Sequence, residues 1–346
     1  MNSHAKTITE FIIGEQRKSP GATGGFSALL NDIRIACKRI GNVIGKGALA
    51  GVPAGELRRV ANETFLRTNE WGGHLAALAS EASPHMHPIP PAYPRGRYLL
   101  AFDPLCGAPE LEVNAVAGSL FSVLRAPEGV TQPEEKDFLQ PGARQACAGY
   151  AIYGPTMMLV LALESGVNGF TLDREIGEFM LTHPDMRIPE EASEFAIDSS
   201  DARFWEPAVK RYVDECLAGA SGPRGKDFKM RWAASLVADA HRILLHGGVF
   251  LSPRGVAEPL RAGRHELLFE AHPLAFLMER AGGRASTGDR ALLEVAPAGL
   301  HQRTPLIFGS RAEVERLERY HRDFNQREYD APLFGSRGLF RARAEA

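Results

Sequence analysis

Short apolar runs bounded by turn residues alternate with segments of helical period along almost the whole chain, and this alternation most constrains what it folds into. RYLLAFDPL, SLFSVLRA, MMLVLALES, GGVFLSP and PLIFGS carry the aliphatic and aromatic content of strands. GVNGFTLD reads as a tight turn feeding another strand. Residues 8–49 read mostly as helix, with Leu29, Leu30, Ile33, Cys37 and Ile40 recurring on one face. A second helix is predicted over 63–79, interrupted near Gly72 and Gly73. WEPAVKRYVDECLAG places Val209, Tyr212, Val213, Cys216 and Leu217 on one helical face. SLVADAHRILLHGG and PLAFLMERAGG are helices that each end on a Gly-Gly stop, and AEVERLERYHRDF is a closing helix. Strands alternating with helices predict a layered α/β architecture, and no internal repeat is visible.

The 346 residues suffice for two domains or one large layered unit. The acidic loop IPEEAS (188–193) marks the expected seam, dividing the chain into 1–188, 189–325 and a loose tail, 326–346. The net charge of −2, with Lys and Arg scattered, argues against a nucleic-acid partner. No apolar run reaches about 18 residues, so no membrane span is expected. The N-terminal stretch lacks an apolar signal core. Cys37, Cys106, Cys147 and Cys216 show no CxxC spacing, which points to a reducing cytoplasm.

The chemistry concentrates in DPLCGAPELE (103–112), where an acidic residue ends a β run and a turn follows. Strand-end carboxylates fix divalent cations, and such a turn offers backbone N–H groups to phosphate. His85 and His87 form an H-x-H pair, but in a proline-broken loop they are expected to face solvent. Cys106 has no histidine near it in sequence and reads as a turn residue rather than a nucleophile. His241 and His246 read as packing or capping residues.

DPLCGAPELE resembles the sugar-phosphatase signature D-P-L-D-G-S-S-N-I-D. RYLLAFDPL, LQPGARQACAGYAIYGPTMMLVLALESGVNGFTLDREIGEF, RGKDFKMRWAASLVADAHRILLHGGVFL, LLFEAHPLAFLMERAGGRASTG and LHQRTPLIFGS follow in the order found in bacterial-type class I fructose-1,6-bisphosphatases, from about residue 8 to about residue 322. The resemblance implies the layered α-β-α-β-α sugar-phosphatase fold with two sub-domains. It implies Mg²⁺-dependent removal of the 1-phosphate of fructose 1,6-bisphosphate, in gluconeogenesis or the Calvin cycle, by a cytoplasmic homotetramer. It implies Glu81, Asp103, Leu105 and Glu270 as metal ligands. Cys106, Gly107, Asp198, Arg231 and Arg264 fall at substrate positions, with Arg231 reaching the 6-phosphate of a neighbouring subunit. Thr23, Gly24, Ser27, Arg97, Tyr98 and Arg125 match an AMP pocket, where Gly25 replaces a glutamate.

The departures from the family cluster at the metal centre. Ala82 stands at a second glutamate, Cys106 at the second signature aspartate, and Arg58 at a metal-binding aspartate. Ala108 and Pro109 replace two serines, and the segment between GALAG and GELRR is shortened. On the sugar side Trp232 and Ser252 replace tyrosines, Arg264 a lysine, Asp198 an asparagine and Glu266 a basic residue. Losing three acidic positions and gaining an arginine shifts the local sum by about four charge units. One like-charge contact at ~4 Å costs about 4 kcal/mol at an effective dielectric near 20, two to three decades in affinity. Weakened cation binding and turnover follow. Glu110 or Glu112 turning inward, or a softer ion such as Zn²⁺ on Cys106, would offset this. The other reading makes Asp103 and Glu270 inherited scaffold paired with Arg58, in a non-catalytic paralogue that binds sugar phosphate or AMP, or co-assembles with an active relative.

Overall fold

The computed structural model describes residues 6–18, 24–130, 132–256 and 260–326. Helices α1 (Ile8–Lys18), α2 (Gly24–Lys46) and α3 (Leu57–Asn69) come first. Strands β1 (Leu75–Ser80), β2 (His87–Pro88), β3 (Tyr98–Cys106), β4 (Ala117–Arg125), β5 (Cys147–Tyr153), β6 (Met157–Leu163), β7 (Gly166–Asp173) and β8 (Glu178–His183) form one sheet in the order β2-β1-β3-β4-β5-β6-β7-β8. Only the β1–β3 pair in it is parallel. The rest of the chain supplies β9 (Glu194–Ile197), α4 (Pro207–Leu217), β10 (Lys229–Met230), α5 (Leu236–His246), β11 (Val249–Ser252), β12 (His265–Glu266), α6 (His272–Arg280), β13 (Arg284–Ser286), β14 (Arg303–Thr304), β15 (Leu306–Gly309) and α7 (Arg311–Gln326). Its main sheet runs β10-β9-β11-β15-β13, and β12 pairs with β14.

Apolar burial sets the layers. Ile8, Leu29, Ile33 and Phe65 of α1–α3 pack with Phe102, Phe121 and Phe170 on one face of the large sheet. Leu120, Tyr150 and Val160 on the opposite face meet Val237 and Ala240 of α5, Leu274 and Leu277 of α6, and Phe250 and Phe308 of the second sheet. Phe195, Leu251 and Ile307 on that sheet's outer face cover Val209 and Tyr212 of α4 and Leu317 of α7. The order is therefore α-β-α-β-α, as the resemblance implies. Among the described residues no helix is long and apolar enough to cross a membrane.

The helix predicted over 63–79 is a correction: α3 starts at Leu57 and stops at Asn69, and Leu75–Ser80 is a strand. All six residues of β1 are buried between β2 and β3, so two-sided burial overrides alanine's helix propensity. GVNGFTLD, expected as a turn feeding a strand, is itself β7 and leads into β8, while β5, β9 and the short β2, β10, β12, β13 and β14 escaped the sequence reading. In β5 the small residues serve packing, since a Cβ on Gly149 would lie 2.4 Å from the Phe121 ring. The Gly-Gly stop after α5 holds, with Gly247 at φ 76. Helix α7 closes at Gln326, and 327–346 lie outside the described residues.

Candidate active site

Strand β3 carries Asp103 and Cys106 to its end, and the β3–β4 ladder shifts register between them. Such an irregularity re-aims side chains that would otherwise alternate across the sheet. Gly107 follows in the left-handed region at φ 76 and starts a 3-10 turn, Ala108–Val113. Glu270 comes from the other half of the chain, on a π-helical turn, Leu267–Ala271, that leads into α6. The ligand atoms of Asp103, Cys106 and Glu270 lie within 4.8 Å of one another.

Local hydrogen bonds orient both carboxylates. Asp103 Oδ1 accepts from the Leu105 N–H at 3.0 Å. Glu270 Oε2 accepts from the Glu266 N–H at 2.7 Å, and Oε1 pairs with His265 Nδ1 at 3.2 Å. Burial, followed by the charge of Glu270, pushes the Asp103 carboxyl up to about 7. Burial, then the same two carboxylates, pushes the Cys106 thiol well above its usual range. Burial also acts to raise Glu270, but His265, the Glu266 N–H and Arg303 together hold it below the ordinary value. The metal-free cluster therefore holds a neutral thiol beside two carboxyls that resist double ionisation. A neutral thiol is a poor nucleophile, so Cys106 fits the non-nucleophilic reading.

Arg58, in the first turn of α3, forms an ion pair with Glu81. The expected pairing of Arg58 with Asp103 and Glu270 is thus corrected, because Glu81 projects beside α3 and takes the guanidinium first. Arg58 still lowers Asp103 through space. Glu81 does not join the cluster, and Leu105 lies between Asp103 and Cys106 on β3. Glu110 and Glu112 do not turn in: the 3-10 turn carries them, and Glu112 is exposed at a second cavity beside Gly47–Pro53 and Asn114.

A cavity of about 250 Å³ opens from this cluster between the two sheets. Cys106, Gly107 and Glu270 line it, as do Asp198, Asp201, Trp232, Ser252 and Arg264. Asp198 caps a 3-10 turn, accepting from the Ser200 N–H at 3.0 Å and the Ser200 hydroxyl at 2.6 Å. Arg264 pairs with Asp201 and lies 3.9 Å from Asp198. Trp232 stacks on Phe250 at 5.9 Å and 12°. Arg231 does not line the cavity, and its Nε faces Glu194 Oε1 at 3.3 Å. Sequence reasoning missed Asp201 and Ser235. Asp201 stands one helical turn past Asp198, and Ser235 is a serine directly before a helical period.

The remaining candidates fall elsewhere. Tyr98 pairs with Arg125 across β3 and β4 and contacts Phe26 of α2 at 5.6 Å. Arg97 is exposed beside this pair, Gly24 begins α2, and the Ser27 hydroxyl donates to Gln16 at 2.7 Å. Thr23 lies outside the described residues. His85 and His87 contact different carboxylates, Glu135 at 3.0 Å and Glu70 at 2.8 Å, so they share no centre. His241 packs on Tyr150, with 2.8 Å between Nδ1 and the hydroxyl, and burial pushes it down to about 4.

Comparison with known proteins matches the chain to two family models. Residues 6–184 match the fructose-1-6-bisphosphatase N-terminal domain, and residues 188–322 match the C-terminal domain. The chain is 56% identical to a class 1 fructose-1,6-bisphosphatase of Hydrogenophilus thermoluteolus, covering 98% of both chains. It is 54% identical to one of Methylibium petroleiphilum, over 96% of this chain and 97% of that protein. The crystal structure of Leishmania major fructose-1,6-bisphosphatase in holo form superposes with a TM-score of 0.85 at 33% identity, covering 92% of this chain and 100% of that one. The apo form of the same protein gives 0.84 at 34% identity, with the same coverage.

Proposed function

The chain belongs to the fructose-1,6-bisphosphatase family, and from that premise we propose that it hydrolyses fructose 1,6-bisphosphate to fructose 6-phosphate and phosphate, with reduced turnover. One observation carries this reading: Asp103 and Glu270, from opposite halves of the chain, converge, and Glu270 lines a cavity that Arg264 also lines. The α5 N-terminus opens on the same cavity through Ser235 and Leu236, and a helix start favours an anionic group. A sugar phosphate entering beside Arg264 must take the guanidinium from Asp201 and Asp198, which accounts for part of the weakening. Arg231, facing outward, suits the family's use of a neighbouring subunit's arginine in a tetramer. The AMP role of Gly24, Ser27, Arg97, Tyr98 and Arg125 and the cytoplasmic location belong to the same reading.

The family resemblance implies Mg²⁺, and the residues present test that implication. Mg²⁺ requires near-octahedral oxygen ligands and keeps several waters. Here the converging donors are two carboxylates and a thiol, and Glu81 is bound to Arg58. This set does not fit a centre of several Mg²⁺ ions. What the chain's own residues do is bind and orient: Arg264 and the α5 start hold the sugar phosphate, while Glu270, with Asp103 beside it, faces its reacting end. Phosphate release from fructose 1,6-bisphosphate, measured across Mg²⁺, Mn²⁺ and Zn²⁺ with Glu270→Gln as control, tests the proposal. Turnover above the control supports it, and none at any metal concentration sinks it. Nothing in the comparisons favours a non-catalytic role over this one.

A further inference from the structure

We infer that Asp103, Cys106 and Glu270 form a site for one thiophilic divalent ion, Zn²⁺ in chemical class, in place of a hard-ion centre. Three donors within 4.8 Å of one another suit a small ion with modest adjustment, since zinc takes sulfur at ~2.3 Å and carboxylate oxygen at ~2.0–2.2 Å. Thiolate donors select zinc over magnesium, whereas carboxylates alone do not. Each carboxylate is already anchored through one oxygen, Asp103 by the Leu105 N–H and Glu270 by the Glu266 N–H. Such outer partners fix ligand direction before an ion arrives. Zinc–thiolate formation releases the Cys106 proton to solvent.

A second, independent observation points to the same place. Ser235 is 2% exposed, its hydroxyl has no hydrogen-bond partner, and it lines the cavity with Cys106 and Gly107. A side chain on Gly107 would approach that hydroxyl to 3.4 Å, so Ser235 stands over the turn that follows Cys106. A buried polar atom left unpaired needs a partner, and water on an ion held by three protein ligands supplies one. Cys106 and Glu270 both line the cavity, so an ion held by them would be open to it. Arg58, fixed by Glu81, brings a permanent positive charge to the neighbourhood, which favours one bound ion over several.

The site lies in the cavity of the proposed phosphatase reading, but its test needs no turnover. The full chain is stripped with chelator and titrated with Co²⁺, whose bond to a thiolate gives a sulfur-to-cobalt band in the near ultraviolet. The band is expected to saturate at one equivalent. Zn²⁺ should displace Co²⁺ at a concentration at least about a hundredfold below that needed by Mg²⁺. Cys106→Ser should abolish the band, and Cys106→Asp should narrow the Zn²⁺/Mg²⁺ gap to about tenfold or less. If the cysteine variants fail to fold, Glu270→Gln, which keeps the thiol, should weaken Co²⁺ binding about tenfold. No band in the folded wild type, a band that survives Cys106→Ser, or equal competition by Zn²⁺ and Mg²⁺ overturns the inference. Phosphate release with Mg²⁺ and no thiolate band would sink the metal site and leave the phosphatase standing. A thiolate band without phosphate release does the reverse.

Discussion

Two buried charged clusters in this protein are built in opposite ways. Behind the second sheet, Arg224 donates two hydrogen bonds to Glu313, at 2.7 and 2.6 Å, and the Tyr212 hydroxyl adds a third at 2.7 Å. Both charged side chains are 3% exposed, and each faces its opposite. At the cavity head, Asp103, Cys106 and Glu270 face one another, and the Ser235 hydroxyl is unpaired. The first cluster matches each charge with its opposite, whereas the second sets two carboxyls and a thiol against one another, with His265 beside Glu270. A satisfied network stabilises a fold, and a deficient one at a cavity wall marks where a ligand completes the balance.

The largest effect should come from breaking the complete cluster. Glu313→Ala leaves Arg224 buried and unpaired, which costs about 3–5 kcal/mol and should lower Tm by about 10 °C. Ion binding at the cavity head should not change, and calorimetry on the folded variant checks this. Loss of ion binding would show the two regions to be coupled.

Arg58→Asp sharpens the contrast from the other side. It releases Glu81 and adds a carboxylate, so Mg²⁺ affinity should rise by about ten- to a hundredfold, or roughly 1.4–2.7 kcal/mol. A calorimetric titration that shows no gain would mean the guanidinium does not oppose the ion.

Asp103→Asn should leave the metal-free protein as stable as wild type or about 1–2 kcal/mol more stable, while ending phosphate release. The pH dependence has a definite sign. The folded value of about 7 lies above the unfolded one, so Asp103 contributes fully below the unfolded value, and stability is lost as pH rises through 7. Tm across that window should fall in wild type more steeply than in Asp103→Asn. His272 acts oppositely: burial pushes it down to about 4, so its contribution is lost as pH falls below the unfolded value. The smallest effect belongs to His85→Ala, where an 81% exposed side chain meets only Glu135. Ion affinity there should stay within about twofold, and a larger loss would restore the H-x-H pair as a ligand.

Much of this contrast was visible before the fold. DPLCGAPELE and LLFEAHP contain Asp103, Cys106 and Glu270, and the resemblance joins them. Arg58 was identified as the intruding charge, but its partner was not. Glu81 and Arg58 are separated by the turn after α3 and by β1, and only packing decides which carboxylate lies nearest. Asp201 went unnoticed because an aspartate on a polar turn looks solvated until Arg264 comes against it. The LAALAS strand was misread because alanine favours helix until two-sided burial is known.

The residues alone therefore determined the longer helices, the longest strands other than β1 and β5, and, through the resemblance, the family and three of the metal-centre donors, because periodicity and motif spacing are local properties of the chain. Tertiary structure decided which charges meet. Asp103 and Glu270 face each other and Arg58 is taken by Glu81 because the layers bring distant segments within a few ångströms, and at that range Coulomb energies depend on geometry that no local pattern encodes.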